Sequence, residues 1–511
     1  MIASTATTSG APAIRDGVTV NLSLISHTNA GKTTLARTLL GQDVGEVRDA
    51  AHVTDVATGY VLVQAGDDTL MLWDTPGFGD TARLLSRLRV SGNPIGWLLT
   101  QVWDRWRERP LWSSQQAVKN AREHADVILY LVNAAEDPAT ASYVALEMEV
   151  LAWIGKPVIL LLNQMGPPRD DVSSEIARWR THLADVGIVS NALPLDAFAR
   201  CWVQEGVLLD AVTPELAHDK QQAMARLSDR WADLNRTRFE KSMEALASPV
   251  IEAMADRAKV GEGDWRDQIG QVVRGGKGQR REVRQAMEGL AERLAAGTVT
   301  STEALIRLHG LSGRATRTVL ERVGDDYARS ELAPEGYSAM LGGLMSGAIG
   351  GLAADVAAGG LTLGGGMIIG GILGAIGASG IARGVNLAKG EDGNAVRWSE
   401  EFIRSLIGAA LLRYLAVAHF GRGRGEWEEG EHPGFWTDIV QKVVAERNQR
   451  IGKLYAAGKR GEDEAIQPMT AILTECGTEI LTLLYPAART IAGLEPGHAR
   501  SVRPASVLPP E

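Results

Sequence analysis

The first 210 residues alternate between short apolar runs and longer segments whose apolar residues recur at helical spacing. Several of these runs are continuous, which is typical of parallel strands buried on both faces. The candidate strands are Val18–Ser26, Tyr60–Gln64, Thr69–Asp74, Asp126–Asn133, Pro157–Asn163 and Ala192–Leu195. Helices fit between most of them, so the pattern predicts a doubly wound α/β domain over residues 17–212. In such a domain the sheet is mostly parallel and the ligand binds at the carboxyl ends of the strands.

From residue 213 onward the pattern becomes helical. Apolar residues three to five positions apart, with charges between them, predict long helices over 213–339 and again over 391–495. We therefore expect an all-α second region. The two ends of the chain, residues 1–16 and 496–511, are rich in small residues or in proline and are predicted to be disordered.

A glycine-rich hydrophobic segment, residues 340–390, separates the two helical stretches. Its part 341–382 carries one charged residue, Asp355, and could form two short helices of the ~20 residues that cross a bilayer. Glycines at every fourth position let such helices approach closely, as at Gly343, Gly347, Gly351, Gly366, Gly370 and Gly374. We predict a glycine-zipper helical hairpin, which either associates with a membrane or a membrane protein or packs inside a soluble helical domain.

The charge and cysteine content narrow the partners and the location. The net charge of −9 and the pI near 5.6 argue against a nucleic-acid partner. Cys201 and Cys476 lie outside metal-binding spacings, so we expect neither a disulfide framework nor a zinc site. Arg383 and Lys389 follow the hydrophobic segment, which favours a cytoplasmic side. The expected location is the cytoplasm, in association with the cytoplasmic membrane.

A phosphate-binding loop follows the first candidate strand. It reads Ser26-His27-Thr28-Asn29-Ala30-Gly31-Lys32-Thr33-Thr34, with Ser26 at the position where the usual motif has glycine. In such loops backbone N–H groups surround the phosphates, the lysine reaches the β- and γ-phosphates, and a hydroxyl binds Mg²⁺. The predicted nucleotide-binding residues are Thr28, Asn29, Ala30, Gly31, Lys32, Thr33 and Thr34, and the predicted fold class is an α/β P-loop NTPase.

Asp74-Thr75-Pro76-Gly77 ends the third candidate strand and should face the same site. Asp74 is expected to hold Mg²⁺ through water, and the Gly77 N–H to meet the γ-phosphate. Thr54 lies in the polar segment between the two motifs and is the candidate switch hydroxyl for Mg²⁺ and the γ-phosphate, with Thr58 as the alternative. Thr33, Thr54 and Asp74 are thus the predicted metal ligands.

The fifth candidate strand ends in Asn163-Gln164-Met165-Gly166, where a guanine-specific Asn-Lys-x-Asp motif would lie. Asn163 and Gln164 are the predicted base-side residues. Gly166 replaces the aspartate whose carboxylate would select guanine over adenine, so the residues alone leave GTP and ATP open. Asp170 and Asp196 are candidates to replace it.

A long insertion, residues 83–115, follows the second motif. Tryptophans and leucines alternate in it with arginines: Trp97, Leu98, Leu99, Trp103, Arg105, Trp106, Arg107 and Arg109. This pattern favours either a membrane interface or partner groove, or a helix packed against the C-terminal half.

The order of these motifs resembles the GTPases of the Era and TrmE type. More closely, Gly31-Lys32-Thr33, Asp74-Thr75-Pro76-Gly77, Leu161-Leu162-Asn163-Gln164 and the run from Pro194 to Trp202 resemble a bacterial GTPase family with a C-terminal domain of unknown function. The resemblance covers nearly the whole chain and implies GTP as ligand.

The resemblance also implies how hydrolysis would work. Asn29 matches the P-loop asparagine that coordinates K⁺ in TrmE-like GTPases, which hydrolyse faster as dimers of their G domains. Phe78 occupies the position of a water-orienting glutamine and cannot orient water. Lys32, Thr54, Gly77 and Asn29 are therefore the expected catalytic residues, with K⁺ as a candidate cofactor beside Mg²⁺.

Three functions remain open from the sequence. The first is a GTPase whose nucleotide state controls a membrane-associated or partner-binding helical domain, with dynamin-like membrane remodelling as a variant. The second is a nucleotide-gated scaffold that does not hydrolyse, for which Phe78 and Gly166 argue. The third is an ATPase.

Overall fold

The structure is a computed structural model. It describes residues 17–41, 57–90, 92–100, 108–165, 172–195, 201–259, 280–311, 385–390, 393–419, 435–457 and 463–488.

A six-stranded sheet forms the centre of the N-terminal domain. Its strands are β1 (Thr19–Ser26), β2 (Thr58–Ala65), β3 (Asp68–Asp74), β4 (Val127–Asn133), β5 (Val158–Asn163) and β6 (Val189–Pro194). The spatial order is β2-β3-β1-β4-β5-β6, with β2 antiparallel to β3 and the other neighbours parallel. The predicted mostly parallel sheet is confirmed, and it is a mixed sheet because a short turn joins β2 to β3.

Both faces of the sheet are buried, which explains the continuous apolar runs. On β4, Leu129 and Leu131 belong to one apolar cluster, while Ile128 and Tyr130 on the opposite face belong to another. Helices α1 (Lys32–Leu40) and α7 (Trp202–Val212) contribute to the first cluster. Helices α2 (Thr81–Leu88), α3 (Pro94–Thr100), α4 (Arg109–Glu123), α5 (Ser142–Ala152) and α6 (Val172–His182) contribute to the second.

The tryptophan-rich insertion forms part of this second face. Helix α3 carries Leu98, which is fully buried in the second apolar cluster. Trp97 and Leu99 pack against the same cluster. The described part of the insertion therefore packs on the sheet domain, rather than on the C-terminal half as one alternative predicted. Trp103, Arg105, Trp106 and Arg107 lie outside the described residues.

The second region is mainly helical and shares its core with the sheet. Its helices within the described residues are α8 (His218–Ala255), α9 (Arg280–Leu308), α10 (Glu400–Ala418), α11 (Phe435–Ala445), α12 (Asn448–Ala457) and α13 (Asp463–Leu484). Their buried apolar residues form one continuous cluster with the first face of the sheet. Aromatic residues mark the junction: Trp202 of α7 donates its indole N–H to the hydroxyl of Tyr414 at 3.3 Å, and Phe239 packs edge-on against the Tyr414 ring.

The expectation of an all-α second region is wrong. Strands β7 (Ala258–Lys259), β8 (Val385–Gly390) and β9 (Gly393–Trp398) form a small antiparallel sheet in the order β7-β9-β8. The alternation on β9, where Val396 and Trp398 are buried and Arg397 is partly exposed, is the two-residue period of a strand. The pattern is only a few residues long, so helical periodicity on either side obscured it.

Among the described residues, no helix combines the length and the hydropathy that a membrane crossing requires. The predicted hairpin, 341–382, with its glycine zipper and Asp355, lies outside the described residues. So do the two chain ends that were predicted to be disordered.

Two ion pairs join α8 to the amino ends of the strands. Lys220 donates to both carboxylate oxygens of Asp126, at 2.7 and 2.8 Å, just before β4 begins. Arg226 donates its Nε to Asp68, the first residue of β3, at 2.7 Å. Helix α8 also packs along β1, β2 and β3. The helical region is therefore anchored at the edge of the sheet opposite to the carboxyl ends of the parallel strands.

Candidate functional site

The sheet topology creates a switch point at the carboxyl end of β1. After β1 the chain forms β2 and β3 on one side of that strand, and it then crosses to β4 on the other side. Such a switch point is where doubly wound sheets bind their ligands. The P-loop and the segment Asp74–Asp80 both begin here.

Lys32 lies inside the P-loop and is nearly buried. Its ammonium group donates to the Ser26 hydroxyl at 2.9 Å and to the His27 carbonyl at 3.3 Å. Burial lowers the pKa of Lys32 to about 8, although the carboxylates of Asp74 and Glu147 act in the opposite direction. Ser26, in the usual place of a glycine, thus holds the lysine in the loop. Phosphate oxygens would provide the negative charge that this buried ammonium lacks.

The loop backbone adopts unusual conformations at two positions. Gly31 has φ +90°, at the start of α1, and Asn29 has φ +67°. Left-handed backbone is favourable for glycine and tolerable for asparagine. Among the described residues the other non-glycine with positive φ is Gln164, also at this site. Such outliers often cluster at ligand sites, where the surrounding structure maintains them.

Thr33 and Asp74 form the arrangement that Mg²⁺ requires. The Thr33 hydroxyl donates to Asp74 Oδ2 at 2.7 Å, and Asp74 Oδ1 is buried without a hydrogen-bond partner among the described residues. Burial raises the pKa of Asp74, while the Thr33 hydrogen bond and the positive charges of Lys32 and Arg37 counteract it. A hydroxyl and a carboxylate with an unused oxygen are hard ligands of the kind Mg²⁺ prefers, so these two residues fit the ion.

Gly77 is held so close to the P-loop that a side chain would not fit. A Cβ at this position would lie 2.8 Å from the Thr28 Cα and 3.0 Å from the Lys32 ammonium nitrogen. The neighbouring Phe78 fixes this approach, because its N–H donates to the Ser26 carbonyl at 2.9 Å and its carbonyl accepts from the Thr28 N–H at 3.1 Å. The Phe78 side chain is fully buried in the second apolar cluster, to which α2 and α4 contribute. It therefore stabilises the segment and offers nothing to an attacking water.

Asn163 and Gln164 reach the P-loop from the end of β5. The Asn163 side chain is fully buried and donates to the Ala30 carbonyl at 2.9 Å. A Cβ on Gly31 would lie 2.7 Å from this amide nitrogen, so that position requires glycine on two grounds. The structure thus joins the predicted base-side residues to the P-loop. Thr34, in the first turn of α1, is also buried.

Some predicted residues are not tested by this geometry. Thr54, Gly166, Asp170 and Asp196 lie outside the described residues, and the alternative Thr58 begins strand β2. Sequence reasoning missed Glu147, a fully buried carboxylate on α5 that touches the P-loop residue His27. The available signal was a glutamate in the apolar stripe of Val144, Met148 and Leu151.

These features define a P-loop nucleotide-binding domain. In agreement, residues 21–164 match the family described as 50S ribosome-binding GTPase. The N-terminal domain therefore binds and hydrolyses GTP, although the aspartate of the guanine motif is absent at position 166.

The rest of the chain identifies the family. Residues 191–464, more than half of the 511 residues, match the family described as a domain of unknown function, DUF3482. The chain belongs to this DUF3482 family. This agrees with the expected resemblance to Era-like GTPases that carry such a C-terminal domain.

Solved structures similar to this chain include two of the GTPase Era. One is Era in complex with MgGDPNP and a segment of 16S ribosomal RNA, with 14% identity, a TM-score of 0.29, and coverage of 57% of this chain and 90% of Era. The other is an Aquifex aeolicus Era variant bound to GDP and AlF4⁻, with the same identity and TM-score and 99% of Era covered. A bacterial selenocysteine-specific elongation factor matches with 15% identity and a TM-score of 0.24, over 41% of this chain and 28% of the factor.

Proposed function

We propose that this protein is a GTP-driven switch, in which nucleotide state in the N-terminal domain sets the conformation of the helical region. The main support for this proposal is strand β3, which contacts the nucleotide site at one end and the helical region at the other. Its last residue, Asp74, forms the Mg²⁺ pair with Thr33, and its first residue, Asp68, pairs with Arg226 of helix α8. Seven residues therefore join the nucleotide site to the helical region.

The roles within the site follow from the geometry and from the chemistry of P-loops. Lys32 binds the β- and γ-phosphates, and the N–H groups from Thr28 to Thr34 surround them. Thr33 would hold Mg²⁺ directly and Asp74 would hold it through water, with Thr54 as a further proposed ligand in the triphosphate state. The Gly77 N–H meets the γ-phosphate. Mg²⁺ supplies charge neutralisation of the phosphates when it is bound.

Asn163 and Gln164 form the base side of the site. Competition between GTP and ATP for the purified protein measures their selectivity, and we expect GTP to win in spite of Gly166. Equal competition by ATP would show that base selection fails at this site.

We propose that a cation, rather than a water-orienting glutamine, would assist hydrolysis at this site. Phe78 is buried and its position is fixed, so it cannot place a water. Asn29 is exposed on the loop in left-handed backbone, where its side chain can act as a ligand. We infer that K⁺ at Asn29 accelerates hydrolysis, with two G domains meeting there as a homodimer. Turnover should be faster in K⁺ than in Na⁺, and Asn29→Ala should abolish that difference.

The switch is tested by amide hydrogen exchange on the full chain with GDP and with a non-hydrolysable GTP analogue. We expect exchange to differ between the two states in α8 and α10, as well as in the nucleotide loops. Lys32→Ala, which removes the phosphate ligand, should show no difference between the two nucleotides anywhere. Differences confined to the loops after β1 and β3 would contradict the proposal.

The output of the switch is proposed to be at the cytoplasmic membrane, through segment 341–382. This part depends on composition, since the segment holds one charged residue. Flotation with liposomes in both nucleotide states tests it. Absence of binding in both states would leave the switch intact and direct its output to a protein partner.

A further inference from the structure

Glu147 is a buried carboxylate beside the nucleotide site to which the switch assigns no role. It lies on helix α5 and is fully buried. One carboxylate oxygen lies 2.6 Å from His27 Nδ1 and accepts from the Thr81 hydroxyl at 3.1 Å. The other accepts from the Tyr130 hydroxyl at 2.6 Å. A buried carboxylate is costly, and these three contacts offset that cost.

The partners of Glu147 come from different parts of the site. His27 is the second residue of the P-loop, and its carbonyl accepts from Lys32. Thr81 begins helix α2, directly after the segment that contains Gly77 and Phe78. Tyr130 belongs to β4, in the middle of the sheet, and is itself buried. Glu147 thus connects the P-loop and the helix that follows the segment Asp74–Asp80 to strand β4 of the sheet.

This contact is independent of the two backbone hydrogen bonds that tie Phe78 to the P-loop. Those bonds lie on the nucleotide side, at Ser26 and Thr28, whereas Glu147 acts at the far end of the segment, at Thr81. A segment held at both ends keeps Gly77 at a fixed distance from Lys32. N–H donors stabilise developing charge best when the surrounding structure holds them in place before the reaction.

We propose that Glu147 is a positioning residue for GTP hydrolysis, which holds His27 and Thr81 so that the Gly77 N–H faces the γ-phosphate. This inference rests on the proposed role of Gly77. Glu147 touches no nucleotide and acts through His27 and Thr81.

Kinetic measurements separate this positioning role from an electrostatic effect on GTP binding. The negative charge of Glu147 acts on Lys32, inside the site that receives phosphates. That charge raises the pKa of Lys32, so its removal lets the lysine lose its proton at a lower pH and can lower GTP affinity. At saturating GTP, kcat does not depend on affinity, so a loss of kcat in a neutral variant cannot come from weaker binding.

The test is Glu147→Gln, which keeps the size and shape of the side chain. We expect kcat at saturating GTP to fall roughly 10- to 100-fold, as for loss of a supporting hydrogen bond around a ligand site, with GDP affinity changed far less. The preference for a GTP analogue over GDP should shrink. The matched control is Glu149→Gln on the same helix, since Glu149 faces outward and pairs with Arg89 at 2.6 Å. Its kcat should equal that of the wild type.

Thr81→Val is the second variant, because it removes one contact while conserving volume and does not depend on the folding of Glu147→Gln. It should lower kcat, and the double variant should be no slower than Glu147→Gln alone. Unchanged kcat in Thr81→Val, or parallel losses of kcat, GDP affinity and melting temperature in Glu147→Gln, would overturn the inference. Failure of the proposed function looks different, because hydrogen exchange in α8 of the wild type would then be the same with GDP and with the GTP analogue, while Glu147→Gln would still lower kcat.

Discussion

Charged side chains at the two ends of the β-sheet differ in the hydrogen-bond partners that the chain gives them. At the amino ends, Asp68 and Asp126 each accept hydrogen bonds from a backbone N–H and from a basic side chain of α8. At the carboxyl ends, Lys32 donates to neutral oxygens of the P-loop. Asp74 keeps one buried oxygen without a partner among the described residues.

This difference in hydrogen-bond partners distinguishes charged residues that stabilise the structure from those that bind a ligand. A carboxylate whose hydrogen-bonding capacity is filled by the chain contributes to the docking of two regions. A buried charge with unused capacity has a perturbed pKa, lowered to about 8 for Lys32 and raised for Asp74, because the chain supplies less than water did. Ligand phosphates and Mg²⁺ would supply the rest.

The largest expected effect is that of Lys32→Ala. Loss of a preorganised phosphate ligand should lower kcat/KM for GTP by ~10²- to 10³-fold, while the melting temperature stays constant or rises because a buried charge is removed. The matched control is Lys220→Ala at the other end of the sheet. It should keep kcat/KM within about twofold and lose stability instead. Equal losses of activity in the two variants would break the comparison.

A carboxylate pair gives the second contrast. Asp74→Asn should raise the Mg²⁺ concentration needed for half-maximal turnover by ~10- to 100-fold, without loss of stability, since it removes a buried carboxylate that lacks a full set of partners. Asp126→Asn should leave the Mg²⁺ requirement unchanged and lower the free energy of unfolding by about 1 kcal/mol. Magnesium titration of turnover and urea unfolding of both variants measure the two effects.

The pKa of Lys32 predicts a smaller effect on nucleotide binding. Above about pH 8 the free site loses the lysine proton, and bound phosphates, being negative, must restore it. GTP affinity should therefore fall by up to ~10-fold per pH unit above that value, with proton uptake on binding. Calorimetry in buffers of different ionisation enthalpy measures the uptake. Lys32→Arg should bind GTP without proton uptake. Proton release on GTP binding by the wild type would contradict the lowered pKa of Lys32.

The smallest effect concerns the anchor of α8. Arg226 is half exposed, so its pair with Asp68 is partly screened. Arg226→Ala should lower the free energy of unfolding by no more than about 1 kcal/mol and leave GTP turnover unchanged. It should also reduce the difference in hydrogen exchange that GTP produces in α8. Arg236→Ala is the control for exchange, because Arg236 lies on the same helix and pairs with its near neighbour Asp233.

The nucleotide site was predictable because its signals are local. The residues from Ser26 to Thr34 indicate phosphate binding by themselves, and the apolar run before them shows where the loop begins. The meeting of Thr33 with Asp74 followed from the rule that parallel strands end at one edge.

Contacts between distant parts of the chain were not predictable in the same way. His27 and Glu147 are 120 residues apart, and Arg226 and Asp68 are 158 residues apart. Nothing local requires these pairs, since a glutamate on a helix more often reaches solvent, as the partly exposed Glu149 does. In the small sheet, β7 pairs with the remote strand β9, whereas β8 and β9 are neighbours in the sequence. These strands are short, so the helical periodicity around them dominated the pattern.

Helix α8 converts small rotations into distances that can be measured. Its 38 residues span about 57 Å at ~1.5 Å per residue. If the helix turned as a rigid body about its anchor at Lys220 and Arg226, a tilt of roughly 5° would move the Ala255 end by about 4 Å on that length scale. The same tilt would shift the strand ends by well under ~1 Å, since they lie next to the pivot. Spectroscopic probes placed near Ala255 would therefore report a rotation that probes beside the nucleotide could not resolve.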